Sequence, residues 1–237
     1  MEKKKQKLSF LEKTKDLVRD FIFGMQDGLI SNLGLVLGVW QGGGDKFAII
    51  LAGLASMFAG AFSMSAGSYL SAKSQREVFE HEIRSTKEKI KQNPHQGLAE
   101  MRKILKEEQF DDDEIEALLH HFEHHNQTTF LHNYIQKKLG LSEERFELPL
   151  KNAIAMFFSF LTGSIVPIAP FFFLAPSTAA LTATILTVFG LFFMGWAKSH
   201  YTKIHWLKSS FEIVMVGIGA AAIGYGVGFI LSLVKLR

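Results

Sequence analysis

Residues 21–40 read FIFGMQDGLISNLGLVLGVW, and this stretch decides the fold. Apart from Asp27 and a few small polar side chains, every residue in it is apolar or glycine. A helix of about 20 such residues spans the roughly 30 Å hydrocarbon core of a lipid bilayer. The stretch is therefore predicted to be a transmembrane helix.

Asp27 is a charge in the interior of this predicted span. An aspartate at the centre of a membrane helix costs about 2.5–3.5 kcal/mol on insertion scales, so such residues usually have a function. Asp20 precedes Asp27 by seven residues, which is two helical turns, or about 10 Å, along the same face. We interpret the two acids as the entrance and the interior of a cation pathway.

Four more long apolar stretches follow, at residues 47–72, 153–174, 178–197 and 210–233. The polar segment between the second and third stretches has helical periodicity. The predicted fold class is an all-α integral membrane protein, with five transmembrane helices and a small helical cytoplasmic domain inserted between spans two and three. The chain then divides into residues 1–73, 74–148 and 149–237.

Lysines are concentrated at the N-terminus, directly before the first span. Cytoplasmic segments next to membrane helices carry an excess of Lys and Arg. The N-terminus and residues 74–148 are therefore predicted to lie in the cytoplasm, with membrane lipid around the spans.

Composition excludes several classes of function. The net charge of +3 is small, and the basic residues cluster at the ends of segments, so no nucleic-acid partner is predicted. The absence of cysteine excludes disulfides, thiolate metal sites and iron–sulfur clusters. No nucleophile motif, phosphate-binding loop or dinucleotide fingerprint is present, so we predict neither an enzyme nor a bound cofactor.

Two features of the sequence could bind metal. His121 and His125, with the pair His120 and His124, have the i,i+4 spacing that chelates a transition metal on a helix; a solvated polar face is the alternative. In the second span, Met64 offers a thioether, and a thioether beside a carboxylate favours a borderline cation such as Fe(II) over Mg or Ca.

The spans also carry motifs in a fixed order, and together these resemble the vacuolar iron transporter family. The motifs are Arg19-Asp20-x-x-x-Gly24-x-x-Asp27-Gly28-Leu29, Gly60-x-x-Ser63-Met64, Gly67-x-Tyr69-Leu70, Ala72-Lys73-Ser74, Gly163-x-x-x-Pro167-x-x-Pro170 and Gly195-x-Ala197-Lys198.

The resemblance implies a five-span homodimer that moves Fe(II), and often Mn(II), out of the cytoplasm in exchange for protons. Asp20, Asp27 and Met64 match pathway positions of the family. Ser56 stands in the pathway where the family has a membrane glutamate. Asp27 and Met64 would be the metal ligands within the membrane.

The inserted domain matches the family's cytoplasmic metal-binding domain in position, but less well in ligands. Glu100 matches a family glutamate, whereas Lys138 stands where another ligand glutamate is expected, and Thr86, Lys89 and Gly97 replace three more. We predict that the family site is lost. The other possibility is a different metal site, built from acids such as Glu88 together with the histidines.

Two further functions stay open at this point. The protein could be a membrane metal sensor or scaffold that does not transport, or it could transport a different divalent metal. The membrane would be the inner or plasma membrane in a bacterium and the vacuolar membrane in a eukaryote.

Overall fold

The computed structural model describes residues 2–125, 127–139 and 149–235. Within these residues every regular element is a helix. The helices are α1 Glu2–Gln41, α2 Lys46–Gln92, α3 Pro94–Glu107, α4 Asp112–His125, α5 Gln127–Leu139, α6 Pro149–Ile168, α7 Pro170–Phe173, α8 Pro176–Thr202 and α9 Trp206–Lys235.

Five segments of the described chain are long and apolar enough to cross a membrane. They are Leu17–Gln41, Lys46–Gln92, Pro149–Phe173, Pro176–His200 and Trp206–Val234. This confirms the prediction of an all-α membrane protein with five long apolar helices.

The second span continues into the polar segment without a break, because residues 46–92 contain no proline and the next one is Pro94. Asn93 then caps α3: its side-chain oxygen accepts a hydrogen bond from the Gln96 backbone N–H, 3.4 Å away. Pro94 occupies the first helical position, where its missing N–H leaves no bond unmade.

The third span differs from the single helix predicted for residues 153–174. Helix α6 ends at Ile168, and the short helix α7 begins at Pro170. Pro170 has no N–H to donate and begins α7, whereas Pro167, which also lacks an N–H, is accommodated inside α6. The span is also longer at its start, since α6 begins at Pro149.

The segment between the apolar stretches at residues 178–197 and 210–233 is mostly helical. Helix α8 extends to Thr202, and Trp206 already begins α9. Lys203 ends α8 in the left-handed conformation, with φ of 56°, and its N–H bonds to the Ser199 carbonyl. A left-handed residue is a common way for a helix to end.

The chain forms two compact units. The apolar unit comprises Thr14–Leu70 and Leu148–Arg237. Its core joins side chains of α1, α2, α6, α7 and α8, with Leu33, Val36, Ile49, Ile168, Phe171 and Ala183 all buried.

The polar unit comprises Ser71–Glu147 together with Met1–Lys13. Its helices bury one apolar face each, as the periodicity predicts. The core contains Ile90, Met101, Leu105, Ile115, Leu119, Phe130 and Tyr134.

Candidate functional site

Helix α1 lies against α6 at very short range on both sides of Asp27. A methyl group on Gly24 would lie 2.2 Å from the Ser159 hydroxyl oxygen, and one on Gly28 would lie 2.4 Å from the Phe160 carbonyl oxygen. Only glycine leaves room for such an approach. The rotation of α1, and with it the position of Asp27, is therefore fixed by α6.

The later half of α1 packs equally closely on α9. A methyl group on Gly224 would lie 2.0 Å from the Gly34 carbonyl oxygen, and one on Gly228 would lie 2.1 Å from that of Gly38. Small residues at helix contacts are the usual means of close packing in membranes. Helix α1 is thus held by glycine contacts along most of its apolar length.

Asp27 is half-buried on this fixed helix. The Ser31 hydroxyl donates a hydrogen bond to the Asp27 backbone carbonyl, at 2.5 Å. Within the described part of the chain, no donor or cation contacts its carboxylate. A carboxylate in an apolar span without a partner is costly unless an external cation or a proton neutralises it.

Asp20 has a different environment. It is 7% exposed, and its carboxylate accepts a hydrogen bond from the neighbouring Arg19 side chain, with 3.2 Å between Nε and Oδ1. The Arg19 side chain itself is mostly exposed. Asp20 is therefore a paired acid near the start of the span, whereas Asp27 is an unpaired one in its interior.

The predicted pathway residues of α2 are half-buried. Met64 and Ser56 both keep part of their surface accessible. Met57, which shares a face with Met64 by its spacing of seven, is instead 6% exposed and belongs to the apolar core. Met64 is thus the more accessible thioether of the pair.

Some buried polar side chains were not predicted from the sequence. Asn32 and Ser164 are fully buried, and the Asn32 amide nitrogen donates to the Ser164 hydroxyl oxygen at 2.8 Å. Thr187 of α8 is also fully buried. The position of Asn32 inside the first apolar span, five residues after Asp27, is the feature of the sequence from which a buried polar contact could have been predicted.

In the polar unit, Glu100 is engaged by protein donors. Lys138 and Tyr134 both hydrogen-bond to its Oε2 atom, and the Gln96 amide lies 3.4 Å from Oε1. The Lys138 hydrogen bond, followed by that of Tyr134, lowers the pKa of Glu100 below its usual value. The Glu100 hydrogen bond in turn raises the pKa of Lys138.

Of the remaining predicted ligands, the structure describes the side chains of Glu88 and His121. Glu88 and His121 are both exposed, and the side chain of His125 lies outside the described part of the structure. Among the described residues, no three His, Asp or Glu side chains lie close enough to share one metal ion.

Comparison of the sequence with known proteins places this chain in a family. Residues 18–229 match the sequence model of the VIT family. The chain belongs to the VIT family. The match covers the first glycine-flanked span as well as the last.

Relatives cover nearly the same region at low identity. The chain is similar to vacuolar iron transporter 1 of Arabidopsis thaliana, with 29% identity across 89% of this chain and 84% of the relative. It is 28% identical to protein CCC1 of Saccharomyces cerevisiae over 88% of this chain and 66% of that protein. A Plasmodium falciparum vacuolar iron transporter is also 28% identical, over 92% of this chain and 83% of its own.

Family membership confirms two predictions. The chain is a divergent VIT family protein, and it is a multi-pass integral membrane protein. The family is one of transport proteins, so the prediction that the chain is not an enzyme is confirmed as well.

Proposed function

We propose that this protein moves Fe(II), Mn(II) or both across a membrane, out of the cytoplasm and in exchange for protons. Family membership and relatives named as iron transporters support metal transport. The direction, the second metal and the proton coupling are part of our proposal.

The observation that carries the proposal is the unpartnered carboxylate of Asp27. Asp20 is paired with Arg19, and Glu100 is engaged by Lys138 and Tyr134. Of these three acids, Asp27 alone has no protein donor or cation on its carboxylate among the described residues. A carboxylate so placed is suited to bind a cation or a proton in turn.

Because Asp27 binds a metal cation and a proton in turn, metal moving in one direction is exchanged for protons moving in the other. Asp20 receives the hydrated cation at the cytoplasmic end of the span, and Asp27 binds it after part of its water is shed. The Met64 thioether adds a soft ligand, which favours Fe(II) over Mg²⁺ or Ca²⁺. Protons from the opposite side then neutralise the carboxylate and release the metal, while the Ser56 hydroxyl contributes a neutral oxygen to the same pathway.

Close packing of α1 supports this mechanism. The glycine contacts with α6 flank Asp27 at Gly24 and Gly28, so the carboxylate has one fixed position along the span. A ligand carried on a rigid helix discriminates between cations more sharply than one carried on a loop.

We also propose an orientation and an assembly. The lysine-rich N-terminus and residues 74–148 lie on the cytoplasmic side, by the positive-inside rule. Two copies form a homodimer, and the exposed apolar side chains of α2, among them Phe47, Phe58 and Phe62, are compatible with contact to lipid or to a second copy. Cross-linking in native membranes would establish the second point.

The test is pH-driven uptake of Fe(II) into proteoliposomes under anaerobic conditions. Uptake is measured by the quenching of a fluorescent dye inside the vesicles. Asp27→Asn removes the charge and retains the shape of the side chain. We expect the initial rate to fall by about tenfold or more, because each 1.4 kcal/mol of lost cation binding is a factor of about ten. An unchanged rate would refute the proposed role of Asp27.

Asp45→Asn is the matched control. Asp45 lies in the turn between α1 and α2, where its side chain accepts a hydrogen bond from the Ala48 N–H at 2.7 Å. Asparagine can accept the same bond, so we expect the control to transport like the unchanged protein. A competition series with Mn(II), Co(II), Ni(II) and Zn(II) in the same assay then ranks the metals.

A further inference from the structure

The polar unit contains a cavity of about 680 Å³ between α2, α3 and α5. Most of the residues that line it have polar side chains. His81, Glu82 and Lys89 line it from α2, Gln96 and Glu100 from α3, and Lys138 from α5. Such a lining of acids, amides and hydroxyls is, by residue type, suited to a hydrated cation.

The Glu100 carboxylate, however, already receives three donors. The Lys138 ammonium and the Tyr134 hydroxyl both donate to Oε2, and the Gln96 amide approaches Oε1. The Lys138 ammonium also lies 2.7 Å from the Tyr134 hydroxyl oxygen, so the three side chains form a closed triangle. An ionised carboxylate has about four lone-pair positions, and most of those on Glu100 are used.

An ammonium is a compact cation with three donors. In the position of Lys138 it contacts the carboxylate and the hydroxyl that a bound metal ion would otherwise contact. Lys89 adds a second positive charge to the same wall. A divalent ion entering the cavity would therefore meet a Glu100 carboxylate already paired with Lys138, while Lys89 balances the charge of Glu82 on the same wall.

We propose that Lys138 is a built-in cation that occupies the Glu100 side of this cavity and excludes divalent metal ions from it. The contact between α3 and α5 is made there by side chains of the protein itself, so it does not depend on metal supply. The inference concerns the polar unit alone and holds whether or not Asp27 carries a transported ion.

The test uses a local probe on the full-length protein in detergent. The chain has no cysteine, so Lys91→Cys introduces a single site for a nitroxide label. Lys91 is exposed and adjoins Gln92, a residue that lines the cavity. Binding of Mn²⁺ in the cavity broadens the nitroxide signal, and Mn²⁺ bound in the spans contributes equally in every variant.

Lys138→Glu replaces the built-in cation by a second carboxylate facing Glu100. We expect saturable broadening with an apparent affinity about tenfold or more above that of the unchanged protein, because two carboxylates chelate a hydrated divalent ion better than one. Lys138→Gln removes the charge and adds only a neutral amide oxygen, and should give a smaller increase. Circular dichroism verifies that helix content is retained.

Lys137→Glu is the matched control, with the same charge change one residue earlier. Lys137 pairs with Glu108 and does not line the cavity, so we expect its titration to match that of the unchanged protein. The proposal is overturned if the unchanged protein already binds as tightly as Lys138→Glu, or if Lys137→Glu gains as much. It is also overturned if both Lys138 variants retain their helix content and neither binds Mn²⁺ more tightly.

Discussion

The side-chain amide of Asn32 donates a hydrogen bond to the Ser164 hydroxyl across the contact between α1 and α6, with 2.8 Å between the two atoms. Ser164 in turn donates to the Phe160 carbonyl of its own helix, at 2.7 Å. Both residues are fully buried. The helix that carries Asp27 is thus joined to α6 by a polar chain as well as by glycine packing.

This contact predicts a measurable coupling energy. Ser164→Ala removes the acceptor and leaves Asn32 with only the Gly28 carbonyl, 3.4 Å away. Hydrogen bonds between membrane helices contribute about 0.6 kcal/mol on average and about 1.7 at most, so we expect a loss of that order in the free energy of unfolding. Asn32→Ala and the double variant complete the cycle, measured by unfolding in detergent micelles. A coupling energy of zero would show that the bond contributes nothing.

The approach of Gly28 to the α6 backbone predicts a larger effect. Gly28→Ala would place a methyl group 2.4 Å from the Phe160 carbonyl oxygen, so the two helices must separate. We expect a loss of about 1–3 kcal/mol in stability, as for other overpacked sites, together with slower transport because Asp27 moves with α1. Thermal unfolding and the proteoliposome assay measure the two effects.

Gly219→Ala is the control for that substitution. Gly219 lies in the α9 span, and a methyl group there would meet no atom within 4 Å. We expect its unfolding temperature to be unchanged or slightly higher, since alanine favours a helix more than glycine does. Equal losses in both variants would mean that glycine flexibility, rather than the close approach, is what matters.

The fold was largely predictable because its signals are local. The length of the apolar stretch at residues 21–40, the uninterrupted run into the polar part of α2 and the stop at Asn93-Pro94 are all properties of neighbouring residues. The break in the third span shows the limit. Pro167 is accommodated inside α6 and Pro170 begins α7, and a proline in the sequence alone does not say which of these will occur.

The site was less predictable because its partners are distant in sequence. Asp27 stands out within its own span, whereas the partner of Asn32 is 132 residues away and that of Glu100 is 38 residues away. The sequence shows that Lys138 stands where the family resemblance predicts a glutamate, but nothing in the sequence places the Lys138 ammonium against Glu100. Such pairs become visible only when the helices are packed.

Gly43, in the turn between α1 and α2, predicts an effect on stability that arises from backbone conformation and not from packing. Gly43 has φ of 82°, and a methyl group there would meet nothing within 4 Å. Gly43→Val should destabilise the protein by about 1–2 kcal/mol, because a β-branched residue is strained in this region. Gly43→Asn should cost clearly less, since asparagine tolerates the left-handed conformation. Thermal unfolding compares the two, and equal losses would refute the conformational explanation.

The contact between Glu100 and Lys138 predicts how the stability of the polar unit depends on pH. The Lys138 hydrogen bond lowers the pKa of Glu100, so its contribution is complete above the usual glutamate pKa and is lost as the pH falls through the lowered value. The pKa of Lys138 is raised, chiefly by Glu100, so its contribution is complete below the usual lysine pKa and is lost only as the pH rises through the raised value. The pair therefore stabilises the unit evenly across the neutral range.

Lys138→Met isolates that contribution. The two side chains are 34% and 40% exposed, so solvent screens the pair and we expect a loss below about 1 kcal/mol at neutral pH. The difference from the unchanged protein should stay constant across the neutral range and shrink in acid, as the pH falls through the lowered pKa of Glu100. Hydrogen exchange of the α3 and α5 amides, corrected for the intrinsic rate at each pH, measures it. A difference that persists undiminished at a pH where Glu100 is fully protonated would assign the effect to the packing of the lysine stem on Tyr134 instead of to its charge.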